Sequence, residues 1–334
     1  MAFRFEAERK GMYLLKFINS KYQTELIMEV SIEADEEREV ELDFSEVNEP
    51  VIRQMIINAI EHDYEPKEEH FPEEIISAIS KDGILTIPKG VRKIGNYAFF
   101  GCISLTSITI PDSVTEIGEA AFANCTSLTS ITIPDSVTEI GLCAFAWCKN
   151  LPSVTIPNSI TTIESHAFEE CYGLTAFYGK YASMDNRCLI IDGKLLAFAP
   201  YEITKYTIPS GVTSIGDYAF CGCMDLISIT IPDSVTTIGE MTFLGCSELT
   251  SISISHSVTA IGRRAFARCG YLTDVYCKAT TPPKLEDSVF RNYTSKFKIY
   301  VPKSEGSTVL EAYKSADVWK EYADIIEEYD FDNE

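Results

Sequence analysis

The sequence predicts a solenoid of short stacked coils with a parallel β-sheet along one face. Three observations predict it. Pro88, Pro111, Pro134 and Pro157 recur every 23 residues, and a fixed period between about 20 and 50 residues marks a repeat architecture. The stretch Thr106-Ser-Ile-Thr-Ile-Pro-Asp-Ser-Val-Thr-Glu-Ile-Gly118 returns as Thr129 to Gly141, and again more loosely after Pro152. Each copy is followed by an Ala-Phe pair (Ala121-Phe122, Ala144-Phe145, Ala167-Phe168) and then by Cys125, Cys148 or Cys171. A unit this short cannot bury its own apolar side, so copies must stack.

Residues 1–80 lack the repeat and read as a small α+β unit or cap. Phe3–Glu8, Met12–Phe17 and Glu25–Ser31 read as short strands, and Arg38–Phe44 alternates Val40, Leu42 and Phe44 with charged residues, a half-buried strand pattern. Asn48 caps a helix that Pro50 opens, with Val51, Met55, Ile56, Ala59 and Ile60 on one face. An acidic connector, Glu65–Glu74, follows, and Ile75–Ile79 adds a helical turn. This unit is expected to cover the open apolar end of the first coil, at about 25 cal/mol per Å² of surface hidden.

The solenoid is expected over residues 81–303. In the unit Leu128–Leu151, Ile131 and Ile133 alternate with Ser130 and Thr132 as a short strand that Pro134 ends. Asp135-Ser136 is a turn, Val137 and Ile140 bury a second edge, and Gly141 permits a tight bend. Ala144-Phe145-Ala146 is predicted as a short helical or 3₁₀ turn with Phe145 inward, and Cys148 as a small apolar filler. Like strands then lie about 4.8 Å apart in a parallel sheet. Between Phe177 and Tyr206 the spacing breaks, and Asp192-Gly193 between two apolar runs predicts a β-hairpin at about 185–200 that replaces the helical turn and projects from, or lies on, the wall. A last strand, Lys296–Val301, is followed by Leu310–Ile326 as a helical cap within a C-terminal unit, 304–334, that ends in an acidic tail.

Lys+Arg number 28 against Asp+Glu 50, a net charge of −22. That argues against a phosphate-backbone partner, which needs a basic footprint, and suits a merely soluble surface or one that meets a basic protein partner. No apolar run approaches the roughly 20 residues of a membrane helix. The charged stretch Met1–Lys10 lacks a signal-peptide core. If Met1 is the native start, a cytoplasmic location is expected. Of the 11 cysteines, Cys102, Cys125, Cys148, Cys171, Cys223, Cys246 and Cys269 fill one repeat position, which assigns them to packing in a reducing compartment.

The unit Leu-x-x-Ile-x-Ile-Pro-x-x-Val-x-x-Ile-Gly-x-x-Ala-Phe-x-x-Cys, as in Leu128–Cys148, resembles the BspA-like leucine-rich repeat of gut and oral Bacteroidetes proteins. So do the hairpin Cys188–Pro200 and the ending Tyr300-Val-Pro-Lys…Trp319-Lys320…Ile325-Ile326, and the resemblance spans about residues 82–328. It implies a right-handed leucine-rich repeat coil, and protein or matrix binding without catalysis, often at the cell surface or secreted.

Side-chain alternation turns Ser107 and Thr109, Ser130 and Thr132, Ser153 and Thr155, Ala176 and Tyr178, Lys205 and Thr207, Ser228 and Thr230, and Ser251 and Ser253 outward. Asp274, Tyr276, Lys298 and Tyr300 continue these positions toward the C-terminal end. The candidate partner-binding residues are therefore Tyr178, Asp274, Tyr276, Lys298 and Tyr300, with Thr109, Thr132, Thr155 and Thr230 as a hydroxyl floor. Tyrosines make good interface anchors, whereas threonines suit strands in any case. Asp112, Asp135 and Asp233, with Glu116 and Glu139, form an acidic row, but Asn158 and Ser210 at the same position assign it to turn chemistry. A column with one cysteine per coil does not converge on a metal. His62, His70, His166 and His256 join no nucleophile or acid–base signature, and no phosphate loop or Gly-x-Ser-x-Gly is present. No cofactor, metal or catalysis is expected.

The expected function is a non-enzymatic protein-binding scaffold. Alternatives are an intracellular inhibitor or immunity-type protein that neutralises a basic toxin or nuclease, and a cell-surface adhesin or glycan-binding module. Trp147 and Trp319, the only tryptophans, read as structural rather than as sugar platforms.

Overall fold

The computed structural model describes residues 2–5, 11–19, 24–32, 38–41, 57–63, 82–291 and 296–331. In the N-terminal unit, Ala2–Phe5 pairs antiparallel with Arg38–Glu41, and Gly11–Asn19 with Thr24–Ile32. Residues 57–61 are helical. The start of the expected helix at Asn48–Pro50, the connector Glu65–Glu74 and Ile75–Ile79 lie outside the described residues.

From Ile84 the chain is a parallel β-solenoid of about 11 coils. Each regular coil contributes a strand of three to five residues to a long face and a two-residue strand to a second face. In the register of the long face, Ile84–Thr86, Ser107–Thr109 and Ser130–Thr132 pair in phase. On the second face Lys93–Ile94, Glu116–Ile117, Glu139–Ile140 and Thr162–Ile163 do the same. Threonine hydroxyls brace the corners: Thr115, Thr138 and Thr161 each donate to the carbonyl of Arg92, Thr115 and Thr138 one coil earlier, at 3.1–3.3 Å.

The third edge differs from the expected helical turn. Ala144-Phe145-Ala146 lies in a run of β-turns, and each regular coil places two left-handed residues four apart, such as Ala120 and Asn124 (φ 49° and 60°) or Cys143 and Trp147 (φ 55° and 59°). The reason is hydrogen bonding. Alternate amides close turns within the coil, as Ala123 N–H does to Ala120 O at 3.1 Å, while the others donate to the next coil, as Ala120, Phe122 and Asn124 do to Leu142, Ala144 and Ala146, each at 2.8 Å. A helix would use all of them internally. This edge packs tightly at Gly141, where an added Cβ would stand 2.7 Å from Glu119 N and Gly118 C.

Inside, rings align in single file. Phe99, Phe122, Phe145 and Phe168 stack with centroids 5.1–5.4 Å apart and planes within 7°. Beside them, the thiols of Cys125, Cys148 and Cys171 donate to the carbonyls of Phe99, Phe122 and Phe145, at 3.0–3.2 Å. Burial pushes the Cys148 thiol up to about 12, so these cysteines stay protonated and act as packed donors.

At the N-terminal end the segment 57–63 stands in for a missing coil. Gly95 N–H donates to Ile60 O at 2.7 Å, as Gly118 N–H does to Ile94 O at 2.8 Å. Asp63 accepts from Asn96 N–H just as the Asn96 side chain accepts from Glu119 N–H. Ala59 and Ile60 are fully buried against the first coil.

The hairpin forms as Cys188–Ile191 with Lys194–Phe198, turning at Asp192 and Gly193, both left-handed. It does not project. Its second strand pairs parallel with Ser214–Ile215 and so becomes part of the second face. The hairpin also partitions the core, with Leu189 and Ala197 in the cluster that runs back to Ala59, and Cys188, Leu195 and Phe198 in the one that runs on to Ile326. Phe198 restarts the ring file through Phe220, Phe243, Phe266 and Phe290.

The C-terminal end corrects the expected single helix over Leu310–Ile326. Thr308–Ser315 is α-helical, Trp319–Ile325 is 3₁₀, and Ile326–Tyr329 is a strand parallel to Lys298–Pro302. Trp319, 1% exposed, caps the second core and donates its indole N–H to Pro283 O at 2.7 Å. What read as the start of an acidic tail is the last strand of the long face.

Candidate functional site

The long face places the expected outward residues in register columns. Thr86, Thr109 and Thr132 are in-phase neighbours, as are Thr155 and Tyr178. After the hairpin one column runs Thr207, Thr230, Ser253, Tyr276 and Tyr300, and the next runs Lys205, Ser228, Ser251, Asp274 and Lys298. Thr109, Thr132, Thr155 and Thr230 are exposed. Ala176 is not outward: it is 8% exposed, because the loop that leads to the hairpin folds over this coil, with Phe177 N–H donating to Asn186 O. Tyr178, 44% exposed, is separated from Tyr276 by the strands at 205–207, 228–230 and 251–254, so it belongs to no common patch.

At the C-terminal end four rings gather. Tyr276 and Tyr300 stack at 5.0 Å with planes 17° apart. Tyr329 meets both edge-on, at 5.3 and 5.6 Å, and Phe331 lies 4.9 Å from Tyr329. The Lys278 ammonium sits 5.7 Å from the Phe331 centroid. All four rings are partly exposed. Asp274 accepts from the Thr273 hydroxyl at 2.6 Å, and partial burial followed by the Asp274 carboxylate pushes the Tyr300 hydroxyl above its ordinary pKa. Lys298 is ion-paired with Glu327 of the last strand, so it frames the patch rather than presenting a bare charge.

Sequence reasoning reached Tyr276, Tyr300, Asp274 and Lys298 but missed Tyr329 and Phe331. The signal was present: Ile326 at a core position, followed by charged and aromatic residues, repeats the in-out rhythm of Lys298–Val301. Helical spacing from Leu310 onward hid it.

The acidic row is exposed at Asp112, Asp135 and Asp233, and Glu116 lies beside Glu139 in register. Asp233 accepts from Ser255 Oγ at 2.7 Å and lies 3.6 Å from His256 Nδ1. The serine thus faces the carboxylate instead of the imidazole, the wrong order for a nucleophile–base pair. Among the described residues no helix is long and apolar enough to cross a membrane.

The repeat profile described as "BspA type Leucine rich repeat region" matches residues 81–187 and 195–315, in six copies. A leucine-rich repeat protein of Eubacterium ventriosum is similar over 73% of this chain and 72% of its own, with 26% identity and a TM-score of 0.54. One from Bacteroides ovatus is similar over 86% of this chain and 69% of its own, with 22% identity and a TM-score of 0.50. No curated protein matches the chain.

Proposed function

The chain belongs to the BspA-type leucine-rich repeat family, and from that premise we propose that it is a non-enzymatic scaffold that engages a partner protein through the C-terminal end of its long face. Tyr276, Tyr300, Tyr329 and Phe331 are the anchor, and their clustering is the observation that carries the reading. Partly exposed rings already held by one another lose little freedom on binding, and large rigid aromatics concentrate interface energy. The threonine columns extend the contact without dominating it. Tethering or occlusion needs no chemistry beyond this.

The test is quantitative affinity purification from the native host, comparing the wild-type chain with Tyr276→Ala/Tyr300→Ala and with Thr109→Ala/Thr132→Ala. The tyrosine pair should weaken capture of the specific partner at least about tenfold, and the threonine pair should leave it within about twofold. Equal capture by wild type and the tyrosine pair rejects the site.

The −22 net charge favours a second reading, an inhibitor of a basic toxin or nuclease. An association rate that falls steeply with salt would mark that electrostatically steered complex.

A further inference from the structure

Where the hairpin interrupts the repeat, the third edge opens. In regular coils three amides donate to the next coil, as those of Cys143, Phe145 and Trp147 do to Ser165, Ala167 and Glu169. Among the described residues no such bond runs from the equivalent His166, Phe168 and Glu170 to the coil that begins at Gly216. Between these two coils lies a small cleft, whose walls include His166, Glu169, Glu170, Tyr172, Tyr218 and Cys221.

The chemistry of its walls departs from the repeat. The position after the buried phenylalanine is Phe100, Ala123, Ala146, Leu244 or Ala267 in other coils and Arg291 in the last, but Glu169 and Cys221 in the two coils that flank the cleft. These two side chains, 52 residues apart, point at each other with Sγ and Oε1 at 3.8 Å. The ligand atoms of Glu169, Glu170 and Cys221 all lie within 4.8 Å of one another. A tetrahedral zinc ion, with Zn–S about 2.3 Å and Zn–O about 2.0 Å, needs sulfur and oxygen about 3.5 Å apart. Cys221 is 8% exposed, so its thiol is sealed inside the wall and aimed at the carboxylates. His166 Nδ1, buried without a hydrogen-bond partner, lines the same cleft but lies outside this ligand group.

We propose that this seam cleft is a binding site for a divalent transition metal, zinc by ligand chemistry, held by Cys221, Glu169 and Glu170. One sulfur and two carboxylate donors suit a borderline-soft ion and not calcium or magnesium, which take oxygen alone. Binding releases the protons held by the Cys221 thiol and the Glu169 carboxyl to solvent, and the dication offsets the charge of the thiolate and two carboxylates so formed. The metal would staple the solenoid where the hydrogen-bond ladder of this edge lapses.

The experiment is cobalt titration of the chelator-treated full chain, followed by zinc competition. One equivalent should give a thiolate-to-cobalt charge-transfer band that zinc removes, and zinc should raise the melting temperature reversibly. Glu169→Ala and Cys221→Ala restore the residue that regular coils carry, so both should fold, which a cooperative melt checks. Cys221→Ala should abolish the band and Glu169→Ala should weaken binding at least about tenfold. If Glu169→Ala fails to fold, the isosteric Glu169→Gln should show the same weakening. Cys143→Ala, at a neighbouring thiol, should change neither. Absence of a saturable band in the wild-type chain overturns the proposal, as does a band that survives Cys221→Ala.

Discussion

Replacing Phe145 by alanine should damage one half of the solenoid and spare the other. Phe145 is fully buried and stacked between Phe122 and Phe168, with centroids 5.4 Å away on both sides. Truncating a buried phenylalanine costs about 3–5 kcal/mol. Two lost ring pairs are each worth about 0.5–1.5 kcal/mol beyond area, which places this site in the upper part of that range. In a stacked array the loss passes only between neighbouring coils, and the hairpin separates the cluster that holds Phe145 from the one that holds Phe243. Hydrogen exchange followed by mass spectrometry should show lost protection across the coils from Phe122 to Phe168 and retained protection from Ile229 to Val301. Phe243→Ala should show the mirror image. Uniform loss over both halves, or a destabilisation below about 1 kcal/mol, would refute the reasoning about stacked rings and a partitioned core.

Gly141→Ala should cost about 1–3 kcal/mol in denaturant unfolding, since its Cβ meets the backbone of the preceding coil, whereas Gly211→Ala, with open space around it, should stay within about 0.5 kcal/mol. Trp319→Phe removes the indole donor to Pro283 and leaves a buried carbonyl unmet, an expected loss of about 1–3 kcal/mol read from the melt of the second half. In the metal-free chain, burial pushes the Glu169 carboxyl from 4.5 to about 7, so it holds its proton in the folded chain after the unfolded chain has lost it. Its contribution to stability therefore falls as pH rises from about 4.5 to 7. Glu169→Gln should flatten that part of the stability–pH curve relative to wild type, and an unchanged slope would show that the carboxyl titrates normally.

The coil length, the inward rings, the cysteine file and the place of the hairpin were legible in the sequence, because each is set within one 23-residue unit. Alternation fixes which side of a strand faces the core, Pro134 ends the strand, and Asp192-Gly193 dictates a left-handed turn whatever lies around it. The turns of the third edge were not legible. Ala144-Phe145-Ala146 is a good local helix, and only the competing carbonyls of the next coil divert its amides. Ile326–Tyr329 is a strand because Lys298–Pro302 offers it an edge, an offer that spacing along the chain does not record. Tyr329 joins Tyr276, and Glu169 meets Cys221, only once coils far apart in sequence are laid side by side. Short-range sterics and solvent aversion are local and can be read from neighbours along the chain. Which side chains converge at the patch and at the seam depends on register between coils, and the folded stack alone decides it.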